Sequence, residues 1–148
     1  MSNFIALIGR ICMSAVFIVY GIPKVMDSAS VMNHPGAKRF FDMVLSGTPV
    51  PSWFGYFIGG VEILGGLAIL LGIKTRWVAW LIVIYLVFIT AFSHQFWLID
   101  AAKDLKEFMI QKSNFYKNLA ILGGFLMLAL HGPGAISFDG RSSSPRSE

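Results

Sequence analysis

Four apolar stretches, Phe4–Ile22, Phe54–Ile73, Trp77–Phe92 and Phe115–Leu130, each approach the roughly 20 residues a helix needs to cross a bilayer. Nothing else in the chain constrains its fold as strongly. With 55% hydrophobic and only 14% charged residues, the composition argues against a water-soluble globular domain. The expectation is an all-α integral membrane four-helix bundle over residues 1–138, with spans at about 4–22, 54–73, 77–93 and 115–131, followed by a disordered tail over 139–148. Four spans in 148 residues leave no room for a large soluble catalytic domain, so any activity must be built inside the bundle, at its ends, or by a partner.

The first stretch reads as a retained helix. It lacks a basic n-region and a small-x-small cleavage site, and Arg10 lies within it. Cys12 is the single cysteine, which excludes an internal disulfide, a CxxC couple and a thiolate cluster. A net charge of +4, spread over loop ends without a basic run, suits a membrane surface and not nucleic acid. Lys74 and Arg76 in a tight turn oppose a more numerous but diluted basic set on the other side; the density argument places both termini in the cytoplasm.

Pro23 is expected to end the first helix near Lys24. In the long loop that follows, Gly36–Leu45 sets Phe40, Phe41, Val44 and Leu45 on one face, as a short amphipathic helix would. Gly55, Gly59, Glu62 and Gly66 then recur at steps of four, three and four residues, which makes one stripe suited to the close approach of another backbone.

Glu62 is the residue in most need of explanation. A charge at that depth costs roughly 2.5–3.5 kcal/mol on the gentlest insertion scales, so it requires a partner. Taking alternating spans and the 1.5 Å rise, Glu62 lies roughly 12 Å and Arg10 roughly 18 Å below the same surface, with His94, Lys117 and Asn118 within roughly 5 Å of it. The expectation is an Arg10–Glu62 pair at the floor of a cavity, with Tyr20, Lys24, Trp53 and Trp97 joining the shallower polar groups in a ring at its mouth. Such a cavity suits an amphipathic ligand such as a quinone. The same ion pair serves equally well to fix helix register. One histidine at that depth does not make a metal or haem site, and none is expected.

Several short motifs together resemble the DoxX family of small four-helix membrane proteins. They are Gly9-Arg10, Gly21-x-x-Lys24, Gly47-Thr48-Pro49-Val50-Pro51, Val61-Glu62-Ile63-Leu64-Gly65-Gly66, His94-x-Phe96-Trp97, Lys117-Asn118-Leu119-Ala120-Ile121-Leu122-Gly123-Gly124 and Gly132-Pro133-Gly134-x-x-Ser137. The resemblance covers about Phe4 to Asp139. It implies a bacterial inner-membrane protein. Some members are similar to the membrane subunit of a thiosulfate:quinone oxidoreductase or are linked to membrane oxidoreductase complexes, and more distant relatives act as assembly factors. Carried over by position, the family pattern selects Arg10, Lys24, Glu62, His94, Lys117 and Asn118.

The expected function is therefore a membrane subunit of a redox complex that binds a quinone. Glu62 and His94 would relay protons, and Arg10, Tyr20, Lys24, Trp53, Trp97, Lys117 and Asn118 would hold the ligand. Besides the bilayer, this reading admits a redox-enzyme partner subunit and self-association. A non-enzymatic assembly factor for a membrane complex is the alternative. A transporter is less attractive in so short a chain without paired broken helices.

Overall fold

The computed structural model describes residues 2–142, an all-helical chain with no strand among them. The described helices are α1 (Ser2–Met26), α2 (Ser28–Met32), α3 (Pro35–Val44), α4 (Trp53–Leu71), α5 (Thr75–Ser93), α6 (Leu105–His131) and α7 (Phe138–Ser142), with a 3-10 turn at Phe96–Leu98. Helices α1, α4 and α5 are long and apolar enough to cross a membrane. The fourth apolar stretch lies inside α6, which begins at Leu105 with a polar first half; Lys117 and Asn118 then interrupt its apolar part, and it falls short of a span by composition alone.

The expected stripe on the second apolar stretch is the buried face of α4, where Gly55, Gly59, Glu62, Gly66 and Ile69 all turn inward. Helix α1 runs antiparallel along it at close range. A Cβ placed on Gly59 would lie 2.8 Å from the Gly21 carbonyl, and one on Gly66 would lie 3.1 Å from the Ser14 carbonyl. At Gly55 the neighbour is Ser28 of α2, whose hydroxyl donates to the Ser52 carbonyl. Small residues give up side-chain contact here to let backbones touch, which is how helices associate where no hydrophobic drive separates protein from lipid.

Helix α1 does not stop at Pro23 but continues to Met26. The ring removes one N–H bond, yet the Pro23 carbonyl still receives the Asp27 amide at 2.8 Å, and Gly21 is held against Gly59. Tertiary packing therefore overrides a local preference of about 3 kcal/mol. Helix α4 ends at Gly72, whose φ of 73° lets its amide turn back to the Ala68 and Ile69 carbonyls.

A second antiparallel pair is formed by α5 and α6. The two pairs join through one core that includes Phe17, Ile69, Ile82, Leu86, Phe125 and Leu128, with Phe17 edge-on to Phe125 at 5.3 Å between centroids. On the far side of this core the space between the pairs is roofed by α3. The amphipathic helix is present where expected, but its inward residues are Gly36, Ala37 and Phe41, while Val44 and Leu45 are exposed. Phe41 packs on Phe54 at 5.0 Å, and Phe40 on Phe92 at 5.3 Å.

The C-terminal segment departs from the expected disorder. Residues 138–142 form α7, and Asp139 accepts the Lys74 amide at 2.8 Å and the Thr75 amide at 2.7 Å. It thus caps the N-terminus of α5, using donors no residue within that helix satisfies. The remainder of the expected tail, 143–148, lies outside the described residues.

Candidate functional site

Beneath α3, between the two helix pairs, lies a cavity of about 850 Å³. Its walls are apolar: Phe17, Phe54, Phe57, Leu86, Phe88 and Phe92 come from α1, α4 and α5. Phe57 and Phe88 are also more than half exposed on helices fit to span a membrane, so the cavity opens toward lipid.

At its inner end stands Glu62, 5% exposed, with Lys24 Nζ at 2.5 Å and Tyr85 Oη donating at 2.5 Å to the same oxygen, Oε1. The register explains this meeting. Gly21 faces Gly59 and Glu62 across the α1–α4 seam, which places Lys24 one helical turn above and its flexible stem within reach. Tyr85 arrives from α5 and is itself tilted against Phe17, at 6.4 Å between centroids. The second carboxylate oxygen, Glu62 Oε2, is buried without a hydrogen-bond partner among the described residues.

The expected Arg10–Glu62 pair does not form. Arg10 is 1% exposed and points to the other end of α4, donating to the carbonyls of Leu70 at 2.9 Å, Ile69 at 3.3 Å and Ile136. Counted along α4, its partners sit about two turns beyond Glu62, roughly 12 Å away at 1.5 Å per residue. The error lay in the helix end: α1 reaches Met26, so Arg10 is deeper than a helix stopping at Pro23 places it. The guanidinium instead neutralises the carbonyl-rich C-terminus of α4 and ties the segment before α7 to it. Below, burial raises the Asp139 carboxyl. Its hydrogen bonds from Thr75 and Lys74, with the positive Arg10 nearby, more than offset this and hold it below the ordinary carboxylate range.

Of the other residues singled out from sequence, Tyr20, Lys24, His94, Lys117 and Asn118 line the cavity together with Glu62. Asn118 donates to Thr90 Oγ1 at 3.0 Å. Trp53 and Trp97 lie outside the lining; Trp53 packs on Phe54 and Phe57, and Trp97 on Phe96 and Phe115. The cavity also takes in His34, brought over by α3, whose Nδ1 accepts the Gly36 amide at 3.1 Å. Desolvation lowers the His34 pKa, and the neighbouring His94, Lys24 and Arg39 lower it further, against a weaker opposing pull from Glu107.

A family model described as DoxX matches residues 5–95, the stretch that carries Arg10, Lys24, Glu62, Tyr85 and His94. The chain belongs to the DoxX family. Among its curated relatives, inner membrane protein YphA of Escherichia coli K12 is 35% identical over 91% of this chain and 88% of its own, and inner membrane protein YqjF of the same organism is 34% identical over 90% and 88%. A surfeit locus protein 4 homolog from Drosophila melanogaster is 34% identical over 48% of this chain and 26% of its own length. No solved structure matches. With three membrane-capable helices and relatives of this kind, this DoxX-family chain is a multi-pass inner-membrane protein.

Tyr85, which donates to Glu62 Oε1, is a cavity residue that sequence reasoning passed over. The available signal was a phenol in the middle of an otherwise apolar helix, because a buried Tyr hydroxyl usually finds a polar partner. His34 carried no such signal; its place over the cavity depends on how α3 folds back.

Proposed function

We propose that this DoxX-family protein is a membrane subunit of a redox complex and holds a quinone, or an amphipathic ligand like it, in the cavity beneath α3. The supporting observation is the pairing of a lipid-facing aromatic cavity with the Lys24–Glu62–Tyr85 cluster at its inner end. Ligand pockets are commonly apolar with a few convergent polar groups. A quinone ring fits among the phenylalanines, with its tail leaving between helices and its oxygens directed to Lys24 and the histidines. Glu62 is placed to exchange a proton with Lys24, Tyr85 or the ligand, and His94 to do so nearer the surface. Electrons would pass to or from a redox centre held by the partner subunit. Neither a metal nor haem forms part of this reading.

In the same reading α6 crosses the membrane and completes a four-helix bundle. Support comes from its far end, where the Ala135 amide donates to Asn3 Oδ1 at 3.3 Å, so that α6 returns to the side on which α1 begins. Lys74 and Arg76 lie on that side as well, and this reading takes it as the cytoplasmic one on their density in a tight turn, against the larger number of basic residues on the other side.

The rival reading, an assembly factor for a membrane complex, draws on α6 too: with weak hydropathy of its own it still exposes Leu119, Met127 and Leu130, a face another helix could cover. One experiment separates the two. Purified protein in lipid nanodiscs is titrated with a short-chain benzoquinone, alongside Glu62→Gln. Saturable binding weakened by about tenfold in the variant supports the quinone site. No binding, or binding indifferent to Glu62 in folded protein, sinks it and favours the assembly role.

A further inference from the structure

Two histidines line the cavity, and each has one ring nitrogen committed elsewhere. Their commitments are of opposite kinds. His94 Nδ1 lies 2.7 Å from Gln111 Oε1, and Gln111 Nε2 donates at 2.8 Å to Glu107 Oε1. A carboxylate only accepts, so the Gln111 amide must turn its NH2 toward Glu107 and its oxygen toward His94. That oxygen also only accepts. Neutral His94 therefore carries its proton on Nδ1, which leaves Nε2 as an acceptor.

At His34 the logic reverses. Its Nδ1 accepts the Gly36 amide at 3.1 Å, because the imidazole caps the N-terminus of α3, and a nitrogen that accepts bears no proton. Neutral His34 must then carry its proton on Nε2. His94 lies near enough for its charge to bear on His34, in a neighbourhood shared with Lys24, Arg39 and Glu107.

From these opposed tautomers we infer that the cavity recognises a hydroxyl group, with His94 Nε2 accepting its proton and His34 Nε2–H donating to its oxygen, so that of the two redox forms of a quinone it holds the reduced, hydroquinone form more tightly. The inference rests on the quinone-site reading above and adds the form of ligand selected. A carbonyl oxygen satisfies His34 but leaves His94 Nε2 without a donor, and it offers nothing to the unpartnered Glu62 Oε2. A hydroxyl meets the histidine pair at once, and sites built around a substrate hydroxyl discriminate strongly against analogues that lack it. In this scheme Gln111 and Glu107 are positioning residues, acting through His94.

The test has a spectroscopic and a binding arm. Full-length protein labelled with 15N-histidine is examined in nanodiscs at about pH 8.5, where an ordinary imidazole is neutral. Removing each ring in turn with His34→Gln and His94→Gln assigns the signals. The expected result is a protonated Nδ1 at His94 and a protonated Nε2 at His34; the same tautomer at both overturns the inference. In the second arm a short-chain benzoquinone and its hydroquinone, the latter kept under argon, are bound separately. The hydroquinone should bind at least about tenfold more tightly. Gln111→Leu should remove most of that ratio while changing quinone affinity by less than about twofold, and Gln111→Glu combined with Glu107→Gln, which restores an acceptor to His94, should recover it. Equal affinity for both forms overturns the hydroxyl preference and leaves the quinone site standing. Failure of both forms to bind overturns the two together.

Discussion

Lys24 and Glu62 meet at 2.5 Å across the α1–α4 seam, where Gly21 packs against Gly59 and Glu62 and brings the two backbones together. The pair and the glycines form one device. The small residues hold the two backbones close where Lys24 reaches across to Glu62.

Truncating one partner should therefore cost far more than removing both. Lys24→Met leaves a buried carboxylate uncompensated and is expected to destabilise by about 3 kcal/mol, whereas Lys24→Met with Glu62→Gln should recover at least about half of that. Thermal unfolding in a mild detergent, followed by circular dichroism, measures both. Equal loss in single and double variants would show that the pair does not carry the effect.

Glycines on α4 should divide sharply by face. Gly59→Ala drives a methyl into the Gly21 carbonyl and the Val25 side chain and should lower stability by about 1–3 kcal/mol. Gly60 has nothing within 4 Å of such a methyl, so Gly60→Ala should be neutral or slightly stabilising, as alanine is the better helix former. A comparison of melting temperatures decides the matter.

Arg10 should prove structural. Arg10→Met removes the donors that three carbonyls share and should loosen the join between α4 and the segment before α7, seen as faster proteolysis near Ile136 and a loss of about 2–4 kcal/mol. Ligand affinity in the surviving folded protein should stay within about twofold, because the guanidinium is roughly 12 Å along the helix from Glu62. A large selective loss of binding would contradict this separation.

Acid should weaken the fold in two windows. Asp139 and His34 both have folded pKa values below their ordinary ones, near 3.8 and 6.5 respectively. In each case the unfolded chain takes up the proton first as pH falls, so the stabilising contribution is complete above the ordinary value and is lost as pH drops through the lowered one. His34→Gln should abolish the change that begins below about pH 6.5, and Asp139→Asn the one that begins below about pH 4. Asp139→Asn should also lower stability by about 1 kcal/mol at neutral pH through the weakened cap on α5. Melting temperature recorded against pH for the three proteins tests the assignment.

Much of this architecture was legible along the chain, because its signals are local. Apolar length marked the membrane-capable helices, the recurrence of Gly55, Gly59, Glu62 and Gly66 marked the face that packs, and a carboxylate in a spanning helix marked the place where chemistry could lie. Lys24, His94, Lys117 and Asn118 were named from the same logic and do line one cavity. Which cation meets Glu62 was a different kind of question. It depends on the register of two helices and on whether the first one ends at Pro23, and a shift of about two turns exchanges Arg10 for Lys24.

The amino-acid sequence by itself determined a helical membrane chain with a buried acid on a glycine face, since hydrophobic length and helical periodicity depend only on neighbours along the chain. Tertiary structure alone decided that Lys24 and Tyr85 share one oxygen of Glu62, that Arg10 closes the far end of α4, and that His34 stands over the cavity with His94. Those contacts join residues tens of positions apart, and side chains find them only after packing has set the height and rotation of each helix.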